Sequence, residues 1–237
     1  MIWRAALAAW LALGGATLAG PCVQSDGLRA CFDAPRTAGL YGHSVLGATP
    51  EWGALSIRRG AGAAIEVTLP ADRLFEDITP RLADIDGDGA LDVLVVESAF
   101  DAGARLSAYR SDGSLLAATP AIGQRNRWLA PAGAGDIDGD GQTEIALIDR
   151  PHLARLLRIF RLKAGALVEV AQLGGLTNHR IGDAFIQGGL APCGVMVLAD
   201  ARWRDVMHVR LRDGALSARA VGRYSGPSSL EPAAACR

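Results

Sequence analysis

Carboxylates crowd two nine-residue stretches of this 237-residue chain, Asp84-Ile85-Asp86-Gly87-Asp88-Gly89-Ala90-Leu91-Asp92 and Asp136-Ile137-Asp138-Gly139-Asp140-Gly141-Gln142-Thr143-Glu144. In each, acids stand at positions 1, 3, 5 and 9: Asp84, Asp86, Asp88 and Asp92 in the first, Asp136, Asp138, Asp140 and Glu144 in the second. Such a density of like charge repels itself unless a hard cation sits among the oxygens. Ca²⁺ takes about six to eight oxygen ligands at about 2.3 to 2.6 Å, so alternate side chains of a curled loop can all reach one ion. Glycines at positions 4 and 6 let the backbone curl, and the position-7 carbonyls of Ala90 and Gln142 are the expected main-chain ligands. The expectation is two structural calcium sites. Solvated Asp-Gly turns, the plainer alternative, give no reason for a whole ligand set to recur at matched spacing.

Position 12, where an EF-hand needs a bidentate Glu, holds Val95 or Leu147. Each loop leads into a short apolar run rich in β-branched residues, Leu91 to Val96 and Glu144 to Ile148, which predicts strands. A DxDGDGxxD/E loop that opens a hydrophobic strand and recurs along the chain resembles the FG-GAP/VCBS repeat, the calcium-bearing blade of integrin-like β-propellers. The resemblance is clear over residues 80–183, with weaker copies on either side. It implies an all-β fold, a small β-propeller of four-stranded antiparallel blades. It leaves the ligand open, because members of the family include adhesins, lectin-like binders and enzyme-associated domains.

Sliding the sequence by 52 residues lays Asp84 on Asp136, Gly113 on Gly165, Gly123 on Gly175 and Asn126 on Asn178. One unit is being reused. Each unit predicts an inner strand before the acidic loop (Arg81 to Asp84; Leu129 to Gly135), a buried strand after it, and a hairpin of two outer strands. The hairpin turns are Asp112-Gly113, Ala164-Gly165 and Asp213-Gly214, with Asp26-Gly27 near the N-terminus and a longer Arg59 to Gly62 link in the first repeat. Leu153 to Arg161 has some helical character, but its place in the repeat makes it a strand. The flanking copies lack the acids: Ala48, Pro50 and Trp52 replace them in the first, Gly188 and Gly189 in the last, and neither is expected to bind calcium. Repeats are expected over residues 39–78, 79–127, 128–179 and 180–223, with inner strands starting near Gly39, Thr79, Trp128 and Arg180. A further inner strand in the tail near Tyr224 would make five blades, its absence four. The hairpin 22–33 is expected to close the ring by joining the tail 224–237 in one single domain, 20–237.

Met1 to Ala19 predicts a secretory signal, with Arg4 before an apolar stretch and Thr17-Leu18-Ala19 as a small-residue cleavage site. No other run approaches the length of a transmembrane helix. The expected location is therefore periplasmic or extracellular. Four cysteines in an exported chain imply two disulfides, with three possible connectivities. Counting outward from the Asp26-Gly27 turn places Cys22 opposite Cys31 at a non-hydrogen-bonded pair, where side chains approach most closely, which leaves Cys193 to join Cys236. A net charge of −1 gives no global attraction to nucleic acid or anionic membrane.

On a propeller the acidic loops and hairpin turns share one face, and the connectors share the other with the second-to-third-strand loops. That opposite face gathers Arg125, Arg127, Trp128, Arg150, His152, His179, Arg180, Arg202, Trp203 and Arg204. Arginine forks beside aromatic rings suit carboxylates, phosphates or sugars. Asn126 and Asn178 instead suit a structural role, capping connector turns, and His43 and His208 look incidental. No GxSxG, HExxH, P-loop or Rossmann pattern is present. The leading expectation is a non-enzymatic module that binds a glycan, an anionic ligand or an envelope protein. The alternative is a calcium-dependent hydrolase of phosphoesters or glycosides.

Overall fold

A computed structural model describes residues 20–37 and 39–236; the expected signal segment, Met1 to Ala19, lies outside the described residues. The described chain runs β1 Cys22–Ser25, β2 Leu28–Pro35, β3 Trp52–Arg59, β4 Ile65–Thr68, β5 Arg73–Phe75, β6 Arg81–Ala83, β7 Asp92–Ala99, β8 Gly103–Tyr109 and β9 Leu115–Ala118. It continues with β10 Leu129–Gly135, β11 Glu144–Asp149, β12 Leu156–Lys163, β13 Ala166–Gly174, β14 Leu176–Thr177, β15 Gly189–Leu190, β16 Met196–Asp200, β17 Asp205–Arg212 and β18 Ala215–Arg223. It ends in a 3₁₀ turn, Pro227–Leu230, and a short helix α1, Glu231–Ala234. The fold is all-β, with every strand pairing antiparallel.

The strands form three sheets, of nine, four and five strands, in place of the expected five or four four-stranded blades, and no closed propeller is found among the described residues. The middle one, β10-β11-β12-β13, is the four-stranded unit expected of one repeat, and the last has the order β14-β16-β17-β18 with β15 also on β16. The strands after the acidic loops, β7 and β11, are buried along almost their whole length. Continuous burial means both faces of the sheet are covered, which is why these strands read as unbroken apolar runs. Inner strands approach one another from sheet to sheet (β6 to β10, β10 to β15), and so do outer strands (β9 to β13, β13 to β18), so successive sheets stack in chain order.

Most of the short turns and the cysteine pairing agree closely between sequence and structure, except at Asp112-Gly113, where Tyr109 pairs with Leu115 across a wider turn. The turns at Asp26-Gly27, Ala164-Gly165 and Asp213-Gly214 each connect directly paired residues, with Asp26, Ala164 and Asp213 at φ of 45°, 50° and 50° as two-residue hairpins require. Cys22 sits opposite Cys31, and the disulfides are Cys22–Cys31 and Cys193–Cys236.

Outside the strong repeats the expectations need correction. The first two repeats are not separate blades: β5 pairs with both β3 and β7, joining them into one nine-stranded sheet. No strand is found between Pro35 and Trp52 among the described residues, so the inner strand expected near Gly39 is replaced by an irregular loop. The inner strand of the last sheet starts at Leu176, before Arg180.

The hairpin β1–β2 does not join the tail. It pairs with β3, Leu28 opposite Arg59 through Pro35 opposite Trp52. The reason is the period-two face Leu28, Ala30, Phe32, which is buried and packs on Trp52, Leu55, Ile57 and Phe75. Phe32 stacks with Phe75 at 5.5 Å and with Trp52 at 6.3 Å between ring centroids. The tail after Tyr224 makes no fifth inner strand. Pro227 and Pro232 each lie in the first turn of a helical segment, and a proline has no N–H to give a sheet ladder. Leu230 is buried on the last sheet beside Val197 and Val206.

Phe75 is fully buried where β5 bridges the two repeats. Phe75→Ala is expected to cost about 3 to 5 kcal/mol, read as a lower midpoint in urea unfolding with an unchanged slope.

Candidate functional site

The repeat puts opposite chemistry at the two ends of its strands. In the middle sheet, Gly135 pairs with Glu144 at the end bearing the acidic loop, and Leu129 pairs with Asp149 at the other. The span is roughly 20 Å, at about 3.3 Å for each residue of β10.

At the acidic end, oxygens of Asp84, Asp86 and Asp92 lie within 4.8 Å of one another, as do those of Asp136, Asp138 and Glu144. These clusters could hold a metal ion. The backbone shapes both in the same way. Gly87 and Gly89 N–H donate to the two oxygens of Asp84 at 2.8 and 2.9 Å, and Gly139 and Gly141 to those of Asp136 at 2.7 and 3.0 Å. Ile85 N–H donates to Asp92 at 3.2 Å, and Ile137 N–H to Glu144 at 2.8 Å. Gly89 and Gly141 both adopt φ of 85°, which a Cβ would oppose. Burial pushes the Asp92 carboxyl up to about 6, with Asp86 and Asp88 adding to the rise. An all-oxygen donor set with buried carboxylates suits a hard cation such as Ca²⁺. Asp88 and Asp140 also accept from the N–H of Ala90 and Gln142, at 2.7 and 2.9 Å.

Each cluster also has an arginine from the neighbouring strand, which no motif marks. Arg161 is directly opposite Glu144. Its guanidinium donates to Glu144 Oε1 at 2.6 Å, Asp140 at 2.9 Å and Asp138 at 3.1 Å. Arg110, one residue beyond the Val93–Tyr109 pair, donates to Asp86 at 2.7 Å. Counting back from the hairpin turns is the signal in the sequence that would have found both.

At the other end, Asn126, Arg127, Trp128, Arg150, Pro151, His152, Leu153 and Ile181 surround a cavity of about 230 Å³ together with His43. Trp128 is buried, its Nε1–H donating to Glu76 O at 2.7 Å, so it forms wall rather than an open stacking surface. His43 belongs to this cavity, and its Nδ1–H is held on the buried Glu76 at 2.6 Å. Ser98 Oγ–H donates to the other oxygen of Glu76 at 2.5 Å. His43 and Glu76 lie in the weak first copy and Ser98 falls on Arg150 at the repeat offset, so no periodicity marked them.

The histidine pair has a defined proton arrangement. A carbonyl only accepts, so His179 Nε2 carries the proton to Asp183 O at 2.9 Å. Neutral His179 then accepts at Nδ1 from His152 Nε2–H, also at 2.9 Å, leaving the lone pair on His152 Nδ1. Burial holds both rings neutral. The His152 value is lowered to about 4, first by burial and then by His179, His43 and Arg155, with Asp183 opposing; that of His179 is lowered by burial.

Arg180 and Trp203 line a second cavity of about 380 Å³ with Asp183, Phe185, Gln187 and Tyr224. The Arg180 guanidinium lies over Trp203 at 4.6 Å and over Tyr224 at 5.4 Å. Arg125 is tied to the scaffold, donating to Tyr41 O at 2.8 Å and Phe100 O at 3.0 Å. Arg150 is held by Asp149 at 2.7 Å, and Arg204 lies 3.7 Å from Asp200. Arg202 is exposed in the β16–β17 turn and lines neither cavity.

Residues 55–147, which span both acidic loops, match the family model described as FG-GAP-like repeat, so this stretch is similar to FG-GAP-like repeats. No curated protein matches. Three crystal structures share broad similarity. They are rhamnogalacturonan lyase YesW (16% identity, TM-score 0.40), the exotype rhamnogalacturonan lyase YesX (13%, 0.42) and the Bacillus licheniformis rhamnogalacturonan lyase PL11 (14%, 0.41). The matches cover 89%, 89% and 87% of this chain and 52%, 51% and 52% of those lyases. The chain thus spans about half their length, and TM-scores below 0.5 decide neither fold nor function.

The electrostatics set two expectations. Arg161→Gln leaves Asp138, Asp140 and Glu144 without their guanidinium, so its melting temperature should fall below wild type in chelator, with the difference shrinking when calcium is added. His152 is kept neutral by the fold and charges more readily when unfolded, so the unfolded chain binds more protons between pH about 6.5 and about 4. Stability should therefore fall as pH drops through that window, and less steeply in His152→Gln, as urea unfolding at pH about 7 and about 5 would read.

Proposed function

We propose that the chain is an exported, calcium-stabilised binding module that engages a glycan, an anionic ligand or an envelope protein at the end opposite the acidic loops. The observation that carries this reading is the separation of charge. Carboxylates in local loops occupy one end of the strands, while two cavities with cationic and aromatic linings occupy the other. A cation at the first end would hold the bend between an inner and a buried strand, through Asp84, Asp86, Asp88, Ala90 and Asp92 in one loop and Asp136, Asp138, Asp140, Gln142 and Glu144 in the other.

Export is supported by two disulfides, which persist in oxidising compartments. No helix among the described residues is long and apolar enough to cross a membrane. A hydrolase that uses the loop cation is less well supported. A cavity of about 260 Å³ does lie against the second loop, lined by Asp136, Asp138, Arg210 and Arg212, but Arg110 and Arg161 direct their guanidinium groups into the loop carboxylates, which leaves those oxygens committed to local partners.

Metal binding and ligand binding are tested separately. Chelation should lower the melting temperature, and Asp86→Ala and Asp138→Ala should each lose one calcium by elemental analysis. An unchanged melting curve in chelator would refute the structural ion. A ligand screen repeated with Arg127→Gln/Arg180→Gln at unchanged stability tests the face: binding retained in full would refute it.

A further inference from the structure

The two cavities at the cationic end are neighbours. Ile181 lines one and Arg180 the other, and consecutive Cα atoms are about 3.8 Å apart, so the two cavities adjoin at this point of the chain. A ligand long enough to cross Arg180-Ile181 would occupy both.

The lining chemistry of the smaller cavity selects the ligand. Arg127 forms no ion pair with any described residue; its one side-chain bond is Nη1–H to Asn126 O at 2.8 Å. Its remaining N–H groups offer a fork for a carboxylate or phosphate. Around it stand acceptors. Asn126 Oδ1 is buried with no hydrogen-bond partner among the described residues, and such an acceptor needs a donor to offset its lost hydration. His152 presents the lone pair on Nδ1 fixed by its bond to His179. His43 is oriented by Glu76 through Nδ1, which leaves Nε2 without a partner among the described residues. The occupant must therefore bring an anionic group for Arg127 and several hydroxyl donors for the acceptors. A phosphate dianion has no donors to give, and a simple carboxylate has none to spare. A sugar acid has both, and its ring hydrogens suit the apolar wall of Leu153, Pro151 and Ile181.

The larger cavity repeats the theme. Arg180 has no carboxylate partner among the described residues, and stacking on Trp203 and Tyr224 fixes its plane while leaving its N–H edge free. Asn126, Arg150 and Trp203, which line the two cavities, hold φ values of 53°, 46° and 55°, a left-handed conformation that residues with a Cβ adopt at a cost.

Resting on the binding-module reading above, we propose that the two cavities are adjoining subsites for an acidic oligosaccharide, with one uronic-acid carboxylate on Arg127 and the next residue of the chain on Arg180. His43, His152 and Asn126 accept hydrogen bonds from the hydroxyls of the first sugar. Neutral imidazoles suit this role because they accept where imidazolium would only donate.

The test uses the full chain with calcium on an array of hexuronate oligosaccharides, their methyl esters, neutral oligosaccharides of the same linkage and phosphorylated sugars. The strongest hit is then titrated by isothermal calorimetry. The expected result is binding of the free acids, at least tenfold weaker binding of the matching esters and neutral chains, and weaker binding of the monosaccharide acid than of the oligosaccharide. Arg127→Gln and Arg180→Gln should each weaken binding by about tenfold or more at unchanged melting temperature, and His43→Phe should weaken it with the carboxylate preference retained. Binding confined to neutral or phosphorylated sugars would overturn the proposal. So would full affinity in Arg180→Gln, which reduces the site to one cavity. If a ligand other than an acidic sugar binds and the double arginine variant abolishes it, the binding-module reading stands and this proposal fails. If no ligand of any class binds, both fail.

Discussion

Everything in this molecule is arranged around the cost of bringing carboxylates together. Each strong repeat places four acids on a bend between strands, with Asp92 and Glu144 buried at the base. Positive charge must meet them. Backbone N–H groups supply part of it, turned inward by glycines in the left-handed region, and the guanidiniums of Arg110 and Arg161 supply more. A divalent cation is the strongest partner that an all-oxygen set can take. With a cation bound, the bend would become a rigid corner at the entry of the next strand into the core, which would link loop charge to the burial of β7 and β11.

That corner also orders the far end. Once the register of β10 on β11 is set, residues 126–128 and 150–153 must meet beyond Leu129 and Asp149. The connectors are held by specific bonds: Gly123 N–H to Ala102 O at 2.8 Å, Gly182 N–H to Val45 O at 3.1 Å, and the Arg125 bonds to Tyr41 and Phe100. Such ties turn loops into cavity walls. Glu76 is the hub of this region, receiving His43, Ser98 and, through its carbonyl, Trp128.

The degraded flanks show what happens when the acid loop is missing. The first repeat has no charged corner, and its strands are merged with those of the second through β5. Apolar packing of Phe32, Trp52 and Phe75 takes over the job that charge performs elsewhere. The last repeat lacks the acids too. It is tied down by Cys193–Cys236 and by Leu230 instead, so a covalent bond and a short helical tail complete a unit that the loop alone does not brace.

Local rules made the acidic loops, the strands after them, the hairpin turns and the cysteine pairing legible from the sequence, because each depends on residues close together or on one repeated unit. Gly-containing turns dictate register by simple counting, and carboxylate spacing dictates donor chemistry. The partner of the β1–β2 hairpin was not legible, since its pairing with β3 rests on the long-range packing of Phe32 against Trp52 and Phe75. The sequence also assembled the arginines and tryptophans of the cationic face in a single group, yet could not divide them into cavity-lining groups, such as Arg127 and Arg180, and scaffold ties, such as Arg125. His43 looks incidental in the sequence, and Glu76 is unmarked, for a related reason. They come from the weak first copy, where no motif marks them, and only the tertiary fold, by packing the irregular loop against the connectors, brings an oriented imidazole to the edge of the cavity.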